Sequence, residues 1–96
     1  MYTYISYLAQ AYFHQDFGLE AETPLGVVEL FRDSESVDMV EALRAEIVAL
    51  LESEPTEEAL ADVWLDEAGA EYDPRFDEGT VRDWLRRIAE TLATKR

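Results

Sequence analysis

From Val81 to Leu92 the apolar residues Val81, Trp84, Leu85, Ile88 and Leu92 fall at i, i+3, i+4, i+7 and i+11. This spacing follows the helical turn and gives the segment one apolar edge and one charged edge. Such a helix is not stable alone; its apolar edge has to be buried against other elements. Thr80 is placed to cap it, and Asp83, three residues on, makes a weak version of the capping box. One strongly amphipathic helix therefore requires partners of the same kind.

The rest of the chain supplies them. Ile5, Leu8, Tyr12 and Phe13 share a face of a helix predicted over about Thr3 to His14, followed by a loop through Asp16 to Glu22. Thr23 and Pro24 then read as N-cap and first helical residue, with Val27, Val28 and Phe31 as the apolar edge, until the polar break Asp33-Ser34-Glu35-Ser36. Val40, Leu43, Ile47, Leu50 and Leu51 mark the third and longest helix. Thr56 caps a fourth, whose first turn carries Glu57 and Glu58 and whose inward residues are Leu60, Val63 and Trp64. Ala68-Gly69 gives that helix a glycine stop, and residues 70–79 read as an irregular loop. No stretch alternates convincingly as a strand, and there is no internal repeat. The expected fold is all-α: a small single-domain bundle of about five helices over residues 1–96.

At 96 residues there is room for one core, which buries roughly 65% of the unfolded surface and needs no staples. Cysteine is absent, which excludes a disulfide framework, a thiolate metal site and a cysteine nucleophile. The N-terminus has no basic region ahead of an apolar core and no cleavage site, and no apolar run approaches the roughly 20 residues of a membrane span. A soluble, cytoplasmic protein with no membrane partner is expected.

Charge is the second strong constraint. Twenty-two acidic residues against eight basic ones give a net charge of −14. Residues 1–78 hold twenty acids against three arginines, a net of −17, whereas residues 79–96 hold two acids against five basic residues, a net of +3. An acidic body of this strength repels phosphate backbones and attracts basic proteins, so direct nucleic-acid binding is disfavoured. Solubility alone also accounts for acidic charge.

Few residues carry chemistry. The single histidine, His14, with Asp16 nearby gives two metal ligands at best, and no run alternates acids around a glycine as a calcium loop does. No phosphate cradle, nucleophile elbow or histidine–carboxylate pairing is present, so neither catalytic residues nor cofactors are expected. Trp64 and Trp84 sit on apolar edges and read as core. Tyr2, Tyr4 and Tyr7 cannot all point inward from a helix whose inner face is already supplied, so exposed tyrosine is expected. The loop Glu71-Tyr72-Asp73-Pro74 is the best candidate for a specific surface feature. Around it Asp66, Glu67, Glu71, Asp73, Asp77 and Glu78 crowd the connection between two helices. Their negative potential suits an arginine- or lysine-lined cleft.

Three segments in order carry a family resemblance. Tyr12-Phe13-His14-Gln15-Asp16-Phe17 follows an apolar helix and precedes Thr23-Pro24. Leu43-Arg44-Ala45-Glu46-Ile47 with Leu50-Leu51 forms the long helix, and Glu71-Tyr72-Asp73-Pro74 precedes Trp84-Leu85. Over about residues 4–92 the chain resembles the CdiI-type immunity proteins of contact-dependent growth inhibition and related bacterial polymorphic toxin systems. Members often carry tryptophan after the aspartate, where this chain has Phe17. The resemblance implies a non-catalytic cytoplasmic antitoxin that binds a cognate toxin domain and blocks its active site or substrate access. It implies a structural role for Tyr12, Phe13, His14, Asp16, Tyr72, Pro74 and Trp84, and it assigns no toxin-contacting residue.

Taken with that resemblance, the charge leads to the expectation of a nuclease-like toxin with a basic cleft, occluded stoichiometrically by the acidic surface around Asp66 to Glu78 and met by electrostatic steering. The alternative is an acidic helical adaptor or regulatory module for a basic protein. The basic C-terminal helix could also pair with a second copy, so a monomer or weak homodimer is expected.

Overall fold

A computed structural model describes residues 2–14, 21–77 and 79–94. Five α-helices follow one another: α1 (Thr3–Tyr12), α2 (Pro24–Ser34), α3 (Val37–Glu52), α4 (Glu57–Ala61) and α5 (Val81–Ala93). A π-helical turn, Asp62–Glu67, continues α4, and a short 3-10 turn, Pro74–Asp77, lies before α5. Among the described residues there is no strand.

The helix starts are where side-chain chemistry puts them. Thr23 accepts from the Gly26 N–H at 3.0 Å, Thr56 from Ala59 at 3.0 Å and Thr80 from Asp83 at 3.0 Å, and Ser36 does the same for α3 through Met39 at 3.1 Å. Each such cap is worth about 1 kcal/mol. The capping box expected at α5 is only half made, because the Asp83 carboxylate pairs with Arg86. The helix α2 runs into the expected polar break, ending at Ser34, while α1 stops two residues short of His14.

The amphipathic helix α5 is the hub. Val81, Trp84, Leu85, Ile88 and Leu92 are all buried, and α5 packs on α2, α3 and α4, while α1 closes the bundle against α2, α3 and the π-helical turn. Ile5, Leu8, Phe31, Leu43, Ile47, Leu60 and Trp64 are fully enclosed in the one apolar cluster. At roughly 1.5–3 kcal/mol for each large side chain removed from water, this cluster is the main term holding the helices together.

Two helices have their first turns completed by carboxylates from elsewhere in the chain. Tyr2, at the start of α1, provides no side-chain cap. Instead Glu46 of α3 accepts from the backbone N–H groups of Tyr4 at 3.0 Å and Ile5 at 2.8 Å. Glu57, in the first turn of α4, accepts from Val81 at 2.5 Å and Arg82 at 3.1 Å at the start of α5. Free N–H groups at a helix start favour a negative partner, so each glutamate both satisfies donors and fixes two helices to one another. Glu35 makes a third tie, accepting from the hydroxyls of Tyr7 at 2.9 Å and Tyr12 at 2.7 Å. The hydrogen bond to Glu35 holds the Tyr7 phenol above its usual pKa.

The expected single fourth helix is corrected. After Ala61 the backbone widens, and the Ala68 N–H reaches the Val63 carbonyl five residues back at 2.9 Å. No glycine or proline marks this point; the closure keeps both Trp64 and Ala68 fully buried. Gly69 then turns with φ of 76°, in the left-handed region where a side chain is disfavoured. That turn lets the Ala70 N–H meet the Trp64 carbonyl at 3.2 Å.

Candidate functional site: an acidic end with an aromatic base

At the end of α1 two successive residues go to different places. Tyr12 packs edge-on to Phe31 and Tyr7, with ring centroids 5.2 and 6.4 Å away. Phe13, just past the helix, is fully buried against Trp64 at 5.4 Å and Trp84 at 5.5 Å. Tyr72 completes a quartet with its ring 5.0 Å from Trp84. These edge-to-face contacts add about 0.5–1.5 kcal/mol each beyond burial. Trp64 and Trp84 are core residues, as expected, and Tyr72 is half-buried against them. His14 is half-buried beside them, and Asp16, with Gln15 and Phe17, lies outside the described residues.

The quartet fixes the loop above it. The Trp64 indole N–H donates to the Tyr72 carbonyl at 2.8 Å, and the Glu71 N–H donates to the Phe13 carbonyl at 2.8 Å. Pro74 is buried. The loop that reads as irregular is therefore anchored at successive residues. Beyond Pro74 it forms a tight 3-10 turn, with the Phe76 N–H on the Asp73 carbonyl at 3.2 Å and the Gly79 N–H on the Pro74 carbonyl at 3.3 Å.

Asp73 and Arg75 lock this turn. Asp73 accepts from the Arg75 backbone N–H at 2.9 Å and grips the guanidinium with both oxygens, at 2.9 Å through Nε and 2.7 Å through Nη2. The guanidinium holds the Asp73 carboxyl below its usual range, and Asp73 raises Arg75 in return, with Glu57 and Asp66 adding to that rise. The Trp64–Tyr72 bond ties the π-helical turn to this loop, and Glu57 and Asp66 both act on Arg75 from the start of α4 and from that turn.

Of the six acids expected to form a surface, Asp66, Glu67 and Glu71 are exposed, and among the described residues their carboxylates make no hydrogen bond or ion pair. Asp73 is paired with Arg75. The backbone of Asp77 closes the 3-10 turn, and Glu78 lies outside the described residues. Glu58 and Asp62 extend the exposed acids along α4 and the π-helical turn. Two residues the sequence reading missed belong here: Arg75, the clamp, and Phe76, whose ring is 87% exposed. Asp73 and Arg75 two residues apart was the available signal for the clamp. For Phe76 there was none, since an isolated phenylalanine reads as core.

Of the three tyrosines of α1, only Tyr7 is exposed, at 39%, and it is tied to Glu35. The basic C-terminal helix is partly engaged within the molecule: Arg82 donates to the Pro55 carbonyl and Arg86 to Asp83. Among the described residues, no cluster of three or more acidic or histidine side chains is arranged to hold a metal ion, and no helix is long and apolar enough to cross a membrane.

Residues 1–92 match a family model described as CdiI immunity protein. Among solved structures, a chain of the crystal structure of a CdiA-CT/CdiI complex from Y. kristensenii 33638 is similar, with a TM-score of 0.88 at 25% identity. The match covers 95% of this chain and 97% of that one. No curated protein matches.

Proposed function

The chain belongs to the CdiI immunity protein family, a family of non-enzymatic toxin inhibitors, and on that premise we propose how it recognises its cognate toxin domain. It acts in the cytoplasm, one-to-one, by laying its acidic end over a basic cleft of a nuclease-like toxin. Asp66, Glu67, Glu71, Asp73, Asp77 and Glu78 belong to the surface that enters the cleft, with Asp73 contributing mainly through the turn it holds. Carboxylates in place of substrate phosphates keep the toxin from nucleic acid, and the same charge repels nucleic acid from the inhibitor itself.

One observation carries this reading. Asp66 and Glu67 on the π-helical turn and Glu71 on the loop after it are exposed, with no hydrogen bond or ion pair among the described residues, beside a loop that an aromatic quartet anchors. Like charges gathered at one end weaken folding, whereas Glu35, Glu46 and Glu57 are committed to tying helices together. Unpaired carboxylates on a fixed base are the arrangement that steers a basic partner and loses little order when it docks.

An interface of standard size covers about 800 Å² per partner. Against a total surface of 5712 Å² this is more than six carboxylates supply, so their neighbours take part as well. The test is calorimetry between the purified protein and the toxin domain encoded beside it, at two salt concentrations, with growth rescue in parallel. The reading expects nanomolar one-to-one binding, rescue, and association that slows steeply with salt. A salt-independent on-rate removes the steering mechanism, and absence of both binding and rescue removes toxin neutralisation.

A further inference from the structure

We propose that Phe76 is the apolar anchor of the toxin interface, seated in a hydrophobic socket that the toxin surrounds with lysine or arginine. The inference rests on the toxin-neutralising reading above and names a residue and a partner chemistry within it.

Phe76 stands apart among the exposed apolar side chains. At 87% exposure it is more open than Val37 at 70% and Tyr7 at 39%. Val37 lies at the start of α3, and Tyr7 is bonded to Glu35. The backbone that carries Phe76 is held by several local bonds. Pro74 is buried before it, Arg75 is clamped to Asp73, the Phe76 N–H is on the Asp73 carbonyl, and the Gly79 N–H closes over the turn. A fixed turn that directs a phenylalanine into water loses hydrophobic stabilisation in the free protein. It loses little further freedom when that ring is buried by a partner, and such preorganised aromatics dominate interface energetics.

The surrounding charge decides the occupant. Asp73 balances the charge of Arg75, the residue next to Phe76, and Glu57 and Asp66 act on that guanidinium as well. The exposed Glu71 lies in the segment leading into the turn, so the balance around the ring is negative. A partner that takes the ring therefore meets carboxylates at the rim, and a rim of lysine and arginine is complementary. A second copy of this chain fits poorly, because a twofold contact through this end sets the same acids against each other. An anionic membrane is repelled for the same reason.

The test compares the 96-residue protein with F76A and F76E for binding to the toxin domain, alongside melting temperature and sedimentation of each variant alone. An 87%-exposed side chain is not needed for folding, so both variants should melt as the parent does. The proposal expects F76A to lower affinity by on the order of 30-fold or more, mainly through faster dissociation, as for an interface hot spot. F76E decides between anchor and charge. Extra negative charge leaves binding unchanged or faster if the acidic end acts by charge alone, but weakens it at least as much as F76A if an apolar socket takes the ring. Parental affinity of F76A, or of F76E, overturns the anchor and leaves toxin neutralisation intact. Failure of the parent to bind toxin overturns the neutralisation reading and the anchor with it. Self-association of the parent that F76A abolishes, with toxin binding unchanged, assigns the ring to a second copy and also overturns the proposal.

Discussion

Glu35, Glu46 and Glu57 on one side, and Asp66, Glu67 and Glu71 on the other, are the same chemical group in two kinds of surroundings. The first three accept hydrogen bonds from residues far away in the chain and join α1 to α3, α4 to α5, and α1 to the α2–α3 junction. The second three lie on the π-helical turn and the loop after it, with no such partner among the described residues. A net charge of −14 therefore has two parts, one that assembles the bundle and one directed outward. Charge count cannot separate them; only the partner of each carboxylate can.

The largest way to break the division is to remove the base on which the outward acids stand. Trp64 is fully buried and holds the Tyr72 carbonyl, so W64A should cost about 3–5 kcal/mol of folding stability by thermal or denaturant unfolding. Loss of less than about 1 kcal/mol would mean that the quartet does not organise this end.

Next comes the outward set itself. Replacing Asp66, Glu67 and Glu71 together by their amides should slow toxin association about 10- to 100-fold at low salt, while melting temperature holds or rises. Stopped-flow rates with parallel melting curves separate the two effects. The inward set should give the opposite pattern. E57A leaves two N–H groups at the start of α5 without their acceptor and should cost about 1–2 kcal/mol, or roughly 5–10 °C. Since Glu57 also acts on Arg75, association should slow, but far less than in the triple variant. If E57A slowed association as much as the triple variant and the triple variant melted early, the two classes would have been assigned the wrong way round.

Smaller effects sharpen the boundary. Arg75 lies at the acidic end but is engaged within the molecule, so R75A should loosen the turn and weaken toxin binding about three- to tenfold with little change in melting. Its partner Asp73 has a folded-state pKa below the unfolded one, so the clamp is complete at neutral pH. It is lost only as pH falls through that depressed value. A proton-detected titration of the Asp73 carboxyl should show a midpoint below the ordinary aspartate range, and an ordinary midpoint would mean the clamp is not formed in solution. Smallest of all is Y7F, since Glu35 keeps Tyr12. Because the Tyr7 phenol titrates above its normal value, the parental bond is present below pH about 10 and is lost as pH rises past the folded-state pKa.

What could be read from the sequence was local. Thr23, Thr56 and Thr80 each cap the helix expected of them, Trp84 and Leu85 lie on the buried edge of α5, and Gly69 ends the fourth helical segment. Those features depend on neighbours within one turn. The service of Glu46 to α1 and of Glu57 to α5 spans 24 to 42 residues, and no spacing rule announces it. Local rules placed Glu57 correctly in the first turn of α4 but gave no sign that its carboxylate also serves α5. The π-helical turn is set by burial of Trp64 and Ala68 together, which a regular period does not encode. The acidic end was visible as a cluster, but its clamp and its exposed ring emerge only when Asp73, Arg75 and Phe76 are seen on one tight turn.

The most direct test of the central claim is hydrogen–deuterium exchange of the protein free and saturated with its toxin domain. The acidic-end account predicts slowed exchange from the π-helical turn through the 3-10 turn, over about residues 62–77, and little change along the groove between α3 and α5 that Val48 and Ala89 line. Protection centred on that groove, with residues 62–77 exchanging as in the free protein, would contradict it and move the toxin to the α3–α5 face.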